Sequence, residues 1–73
     1  MEKTDVNLLR LGLNIRRWRH GRRMTQVQLG ERVGCASRTI SAMERGRRDV
    51  SIETLFRLCR ALDCPVQELL LGV

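Results

Sequence analysis

The 73-residue sequence contains few of the residues that build metal centres or active sites. It has one histidine (His20), three cysteines and two aromatic residues, and no two cysteines form a CxxC pair. The spacing of zinc ligands is therefore absent. The sequence shows neither a nucleophile–base pair nor a pair of neighbouring carboxylates, the arrangements that would suggest an enzyme. We accordingly expect no catalytic residues, no bound metal and no cofactor.

The sequence also lacks a signal peptide and any apolar run long enough to span a membrane. Cys35 and Cys59 fall at apolar positions and are interpreted as small buried hydrophobic residues, whereas a redox switch at Cys64 stays an alternative. These features predict a reduced, cytoplasmic setting and no membrane partner.

The composition is strongly basic. The formal net charge is +6, the isoelectric point is near 11.0, and 13 of the 14 basic residues are arginine. Positive charge favours a polyanionic partner, and arginine suits bidentate contacts with phosphate and guanine. A GC-rich genome that favours arginine codons would explain the same bias, so composition alone does not separate the two explanations.

Hydrophobic spacing predicts an all-α chain that folds as one compact five-helix domain over residues 1–73, without strands, repeats or a linker. The first helix begins near Asp5 or Asn7, and residues 1–6 are predicted to form a flexible arm. Its apolar residues recur at spacings of three and four: Leu8, Leu11, Ile15 and Trp18.

Residues 26–45 contain the most informative pattern, two short helices joined by a glycine-containing turn. Thr25 is the predicted N-cap of a helix over residues 26–33, and Gly34 follows where the chain often needs a positive φ. The next helix covers residues 37–45. Two helices that meet steeply across such a turn form a helix-turn-helix, whose second helix can enter a DNA major groove.

Two more helices are predicted after Gly46, which ends the third helix. Ser51 caps the fourth helix, and Pro65 fits the start of the fifth. The apolar positions of the fourth helix are Ile52, Leu55, Phe56, Leu58, Cys59 and Leu62.

The third helix has one apolar and one polar side. When Ile40 and Met43 are turned inward at about 100° per residue, Arg38 stands almost opposite Ile40. There it can donate two hydrogen bonds to N7 and O6 of guanine. A solvated surface helix would show the same pattern, but the helix-turn-helix frame favours DNA. The residues predicted to read bases are Ser37, Arg38, Ser41 and Ala42.

Hydrogen-bond donors on either side of this helix are predicted to bind phosphate. Gln26 lies at the start of the second helix, where free backbone N–H groups and the helix dipole favour an anion. Arg45, Arg47 and Arg48 follow the third helix and would hold the adjacent DNA backbone without reading its sequence. A solvated charged loop is the alternative interpretation of residues 45–48.

Two charged residues fall beside apolar stripes, Arg19 in the first helix and Glu44 in the third. A charge in that position must reach solvent or find a partner of opposite sign. We therefore predict an Arg19–Glu44 ion pair with a structural role.

These segments resemble the lambda-repressor-like (Cro/cI-type, XRE) helix-turn-helix family over nearly the whole chain. The matching pieces are IRRWR at 15–19, MTQVQL at 24–29, VGCASRTISAMERGRR at 33–48 and SIETLFRLCRALDCPVQEL at 51–69. The resemblance implies a five-helix domain that binds operator DNA as a dimer. It also implies that the DNA is lined by Gln26, Ser37, Arg38, Thr39 and Ala42, and we assign Thr39 to the phosphate-binding set.

The sequence departs from the family pattern at three positions. Ala36 replaces the usual Ser or Thr cap of the third helix, which typically costs ~1 kcal/mol. Gly30 replaces the usual Ala inside the second helix, at up to about 1 kcal/mol of helix propensity. Ala42 stands where longer polar readers occur, so more of the base reading falls to Arg38.

The sequence therefore predicts a sequence-specific transcriptional regulator of double-stranded DNA, a repressor or autoregulator that acts as a homodimer on a palindromic operator. Apolar residues near the C-terminus either form a dimer contact or close the core: Leu69, Leu70, Leu71 and Val73. The alternative is a protein-interaction module, an antitoxin or adaptor whose chief partner is a protein.

Overall fold

The computed structural model describes residues 5–73, which form five helices and, within that range, no strand. The helices are α1 (Val6–Gly21), α2 (Gln26–Val33), α3 (Ser37–Glu44), α4 (Ile52–Leu62) and α5 (Val66–Leu69). α3 packs against α1 and α2, α4 packs against α2 and α1, and α5 packs against α1 and α4. The predicted all-α, five-helix architecture is confirmed. None of the helices in this range has the length and apolar character needed to cross a membrane.

The start of α1 corrects the predicted boundary of the arm. Asp5 is the N-cap, and its side-chain oxygen accepts a hydrogen bond from the Leu8 N–H at 3.1 Å. Val6 is the first helical residue. Residues 5 and 6 therefore belong to the helical domain, because the Asp5 carboxylate satisfies a backbone donor of the first turn. Residues 1–4 of the predicted arm lie outside the described residues.

Local hydrogen bonds give α2 its predicted bounds. Thr25 Oγ1 accepts from the Gln28 N–H at 3.0 Å, and Gln28 Oε1 accepts from the Thr25 N–H at 2.9 Å, which completes a capping box. Gly34 has the left-handed φ of 92°. Gly30 lies so close to the turn that a Cβ there would be 2.5 Å from the Cys35 carbonyl oxygen. The turn thus needs its two glycines for different reasons, one for conformation and one for space.

α3 is capped well at only one end. Ala36 occupies the N-cap position and makes no side-chain hydrogen bond, as its methyl side chain predicts. At the other end Arg45 is the C-cap, and Gly46 has a left-handed φ of 69°. The N–H groups of Gly46 and Arg47 donate to two carbonyls in the last turn, at 3.1 and 2.9 Å. This Schellman motif ends the helix and directs the chain into the following loop.

α4 begins after a serine cap, and a further left-handed residue ends it before α5. Ser51 Oγ accepts a backbone N–H of the first turn of α4 at 3.1 Å. α4 ends at Asp63, whose φ is 50°, and the Cys64 N–H donates to the Cys59 carbonyl at 3.0 Å. Pro65 is the N-cap of α5, and Val66 is its first helical residue.

The hydrophobic core lies between the helices and is closed by α5. Its buried side chains are Leu11, Ile15, Leu29, Val33, Ile40, Met43, Leu55, Leu58, Cys59, Leu62, Cys64 and Leu69. Asn14 Nδ2 donates to the carbonyl oxygens of Leu69 and Leu71 at 2.9 and 2.8 Å, which ties the C-terminal turn to α1. Leu69 and Leu70 therefore help to close the core, whereas Leu71 and Val73 are exposed.

Two of the six apolar positions read for the fourth helix lie at the surface. Ile52 is 69% exposed and Phe56 is 46% exposed. At about 100° per residue, both project to one edge of the buried apolar stripe, which is formed by Leu55, Leu58 and Leu62. The helices packed on α4 cover that stripe and leave the edge open.

The cysteines are unpaired thiols. Burial and the neighbouring Cys59 raise the pKa of the Cys64 thiol to about 11. Such a thiol is protonated at neutral pH, which argues against the redox switch considered at Cys64. Cys59 is buried as predicted. Cys35 is only half-buried; burial raises the pKa of its thiol, and the Arg48 guanidinium opposes that rise.

Candidate nucleic-acid interface

The outward side of α3 holds the residues predicted to read bases. Arg38 is exposed, and Ser37, Ser41 and Ala42 are half-buried at the surface, while Ile40 is fully buried on the inward side. The first and last of these readers are five residues apart, which is about 8 Å along the helix. The set therefore spans little more than two base-pair steps, with one long side chain among three short ones.

The basic residues after α3 extend this surface. Arg45, Arg47 and Arg48 are exposed, as Arg38 is, and Thr39 is half-buried. Within residues 5–73 the ion pairs are Arg19–Glu44 and Arg57–Glu53, so none of these four arginines has an acidic partner there. Their positive charge is available to an external anion.

Arg19 and Glu44, the two charges predicted to pair, lie in contact between α1 and α3. Arg19 Nε donates to Glu44 Oε2 at 2.6 Å and Arg19 Nη2 donates to Glu44 Oε1 at 3.1 Å. The side chains are 10% and 3% exposed. Arg19 Nη1 also donates to the Met24 carbonyl at 2.9 Å. This bidentate, buried arrangement satisfies both charges and takes Arg19 out of the group available to DNA.

Gln26 takes part in the same network, which the sequence reasoning missed. Its Nε2 donates to Glu44 Oε1 at 3.1 Å, so the side chain is tied to α3 as well as to the start of α2. Only one N–H of the Gln26 amide is left for the phosphate contact predicted for it. An ionised carboxylate has room for about four donors and one arginine fork uses two of them, but which residue supplies a further donor depends on how α2 meets α3.

Arg23 is a further basic residue that sequence reasoning did not assign to the interface. It is exposed, adopts a left-handed φ of 57° in the turn after α1, and lines an open groove of about 500 Å³. Gln26 and Ser37 line the same groove, which also includes His20. The groove thus joins the starts of α2 and α3, and Arg23 adds a positive charge beside both.

Comparison with known proteins shows which family the sequence and the fold resemble. A family model described as helix-turn-helix matches residues 15–69. The chain is also similar to the uncharacterized HTH-type transcriptional regulator y4dJ of Sinorhizobium fredii, with 36% identity over 52 residues, which are 71% of this chain and 68% of the relative.

Solved structures show the same fold at comparable identity. The restriction-modification controller protein C.AhdI from Aeromonas hydrophila superposes with a TM-score of 0.85 and 29% identity, over 89% of this chain and 98% of that one. The P22 c2 repressor in complex with synthetic operator 9T superposes with a TM-score of 0.78 and 35% identity, over 86% of this chain and 96% of that one. The family match and these likenesses show that the chain belongs to the helix-turn-helix family, in its lambda-repressor-like (XRE) branch.

Proposed function

We propose that this chain is a transcriptional regulator that binds double-stranded DNA sequence-specifically, with α3 in the major groove. The observation that carries the proposal is the distribution of arginine. Arg38, Arg45, Arg47 and Arg48 are exposed on and after α3 without an ion pair in residues 5–73, whereas Arg19 is neutralised by Glu44. Phosphates and guanine edges supply the partners that these side chains lack.

The proposed division of labour follows from position on the helix-turn-helix. Arg38 is the principal base reader, since it is the one long donor on the outward side of α3, and Ser37, Ser41 and Ala42 contact the neighbouring base edges. Arg45, Arg47 and Arg48 hold the phosphate backbone, together with Gln26 and Thr39. Arg23 joins this second group because it shares a groove with Gln26.

The regulator is proposed to act as a homodimer on a palindromic operator, as a repressor or autoregulator. A two-fold dimer presents two copies of α3 to two half-sites about one helical turn apart. The repressor that resembles this chain was solved with operator DNA, which favours DNA over a protein as the chief partner. A cytoplasmic location accords with three unpaired thiols.

Selection from a random duplex library at near-physiological salt tests the function. We expect the recovered DNA to be enriched in an inverted repeat. Salt-sensitive bulk binding without any enriched motif would contradict sequence-specific recognition and favour the antitoxin or adaptor alternative.

Two arginine variants separate base reading from phosphate binding. Arg38→Ala is expected to lose about 1–3 kcal/mol of discrimination at one base position. Arg47→Ala should weaken binding to all sequences alike and reduce the salt slope by about 1. Arg17→Ala, which removes an exposed arginine of α1, is the matched control and should change neither quantity. An Arg38→Ala protein with unchanged selectivity would show that the reading face has been wrongly assigned.

A further inference from the structure

Two thiols lie side by side at the end of α4, and the proposed DNA surface uses neither. Cys59 is in the last turn of the helix, and Asp63 then adopts a left-handed φ of 50°. The Cys64 N–H donates to the Cys59 carbonyl at 3.0 Å, and the Asp63 N–H donates to the Arg60 carbonyl at 3.3 Å. This is the hydrogen-bond pattern of a Schellman turn, in which the side chains at the positions of Cys59 and Cys64 commonly pack together. The turn therefore brings together two thiols that are five residues apart in the chain.

The side chains are in contact, as the turn predicts. The two thiols interact by a side-chain hydrogen bond, and Cys64 Sγ also lies 3.5 Å from the Pro65 carbonyl oxygen. Cys59 is 8% exposed and Cys64 is 7% exposed, yet both line an open groove of about 370 Å³ beside Phe56 and Pro65. A small ion can reach the sulfur atoms from this groove.

The charges around the pair nearly cancel. Arg60 and Asp63 line the same groove. Arg22 donates to two carbonyls at the end of α4, at 2.7 and 2.8 Å, which places its positive charge near Cys64, and Glu68 adds a negative charge there. Two positive and two negative side chains leave no strong field for a hard cation. The two sulfur atoms therefore set the character of any ligand at this site.

Two thiolates fit a soft monovalent ion better than zinc. Within residues 5–73, no group of three His, Cys, Asp or Glu side chains is placed to hold a metal, and a structural zinc site takes four ligands. Thiolate ligands select soft ions, among them Cu(I). A metal–thiolate bond is about 2.3 Å long, so one ion between two sulfur atoms needs them within about 4.6 Å of each other, which thiols in contact satisfy. The expectation of no bound metal rested on the ligand spacing of zinc, which an ion held by two cysteines does not need.

We propose that Cys59 and Cys64 bind one Cu(I) ion between their sulfur atoms. Each S–H bond breaks as a Cu–S bond forms, and the two protons go to solvent. The copper stays in the Cu(I) state, so no electron is transferred, and the complex of one ion with two thiolates carries a single negative charge. The ion cross-links the last turn of α4 to the residue before Pro65. None of these residues belongs to the proposed DNA surface, so the inference goes beyond the proposed function and does not rest on it.

Competition with the chromophoric Cu(I) chelator bicinchoninate tests the site on the reduced full chain under nitrogen. We expect one Cu(I) per chain. Cys59→Ala and Cys64→Ala should each raise the dissociation constant at least about 100-fold, because loss of one of two ligands should cost more than the 10–100-fold that loss of an outer partner costs. Cys35→Ala removes a thiol elsewhere in the chain and is the matched control, which should bind like the parent. Circular dichroism checks that each variant folds.

Thiol labelling of the parent chain gives a second measurement that needs no variant. Iodoacetamide is added with and without Cu(I), and the labelled cysteines are located by peptide mass spectrometry. Because a metal-bound thiolate is not free to attack the reagent, Cu(I) should slow labelling of both Cys59 and Cys64 at least about tenfold. Labelling of Cys35 should stay the same.

Three results would overturn the site. The first is Cu(I) binding that both alanine variants of the pair retain. The second is binding that Cys35→Ala abolishes, or protection of only one thiol of the pair. The third is a stoichiometry of one ion for two chains, since the ion would then bridge two molecules. DNA is absent from both experiments, so their outcome is separate from that of the duplex selection.

Discussion

Replacing Glu44 by alanine should remove a large part of the folding free energy. The substitution leaves the Arg19 guanidinium buried with the Met24 carbonyl as its remaining backbone acceptor, and it leaves one Gln26 N–H without its acceptor. Removal of one partner from a buried ion pair costs roughly 3–5 kcal/mol. A domain of 73 residues has about 4–11 kcal/mol of stability in total. The variant should therefore lose between about a quarter and all of its stability.

Urea unfolding at neutral pH measures this loss directly. Trp18 is the only tryptophan; it is half-buried on α1 with the Arg22 guanidinium carbon 5.3 Å from its ring centroid, so its fluorescence reports the packing of this helix. Glu53→Ala is the internal control, because it breaks the exposed pair with Arg57 and should cost less than about 1 kcal/mol. If Glu44→Ala does not fold, Glu44→Gln keeps the shape and one acceptor and should lie between the two.

A double variant tests whether the loss comes from an unpaired charge. Arg19→Met combined with Glu44→Met removes both charges and should be more stable than the sum of the two single losses predicts. The reasoning is refuted if Glu44→Ala costs no more than Glu53→Ala, since burial would then contribute nothing to the pair.

Two further predictions concern pH and backbone packing. The pKa of Cys64 is about 11 in the folded chain against an ordinary 9.0, so the native state keeps a proton that the unfolded chain has lost between these values. The free energy of unfolding should therefore fall by about 2–3 kcal/mol as the pH rises from 9 to 11. Urea titrations at a series of pH values measure this fall, and Cys64→Ala should make it smaller. Gly30→Ala should destabilise the domain despite a gain of up to about 1 kcal/mol in helix propensity, because the new Cβ meets the Cys35 carbonyl oxygen. Gly21→Ala has open space at its Cβ and should be neutral or stabilising in thermal unfolding; equal effects of the two alanines would refute the packing argument.

The helix boundaries were predictable wherever one local interaction decides them. The Thr25 capping box and the left-handed Gly34 and Gly46 each involve residues within a few positions of one another, so the sequence contains the whole cause. The Arg19–Glu44 contact is long-range but was also predictable. A charge beside an apolar stripe must reach solvent or pair with an opposite charge. Arg19 and Glu44 are the two residues of opposite charge that the pattern places in that position.

Features that depend on how the helices are placed were not predictable in the same way. The bond from Gln26 to Glu44 requires the start of α2 to meet the last turn of α3, and periodicity within either helix does not contain that distance. The exposure of Ile52 and Phe56 depends on how much of α4 its neighbours cover. An apolar pattern states which residues can be buried, while the packed neighbours determine which of them are.

Glu44 lies in α3 and accepts hydrogen bonds from Arg19 of α1 and Gln26 of α2. The relative orientation of three helices is thereby fixed when the chain folds, and little conformational entropy is left to lose when DNA arrives. We therefore expect the surface that meets the duplex to act as a rigid template. A duplex would then have to adjust its twist and groove width to fit, and we expect selectivity to extend to base pairs that no side chain touches, through the energy needed to deform them.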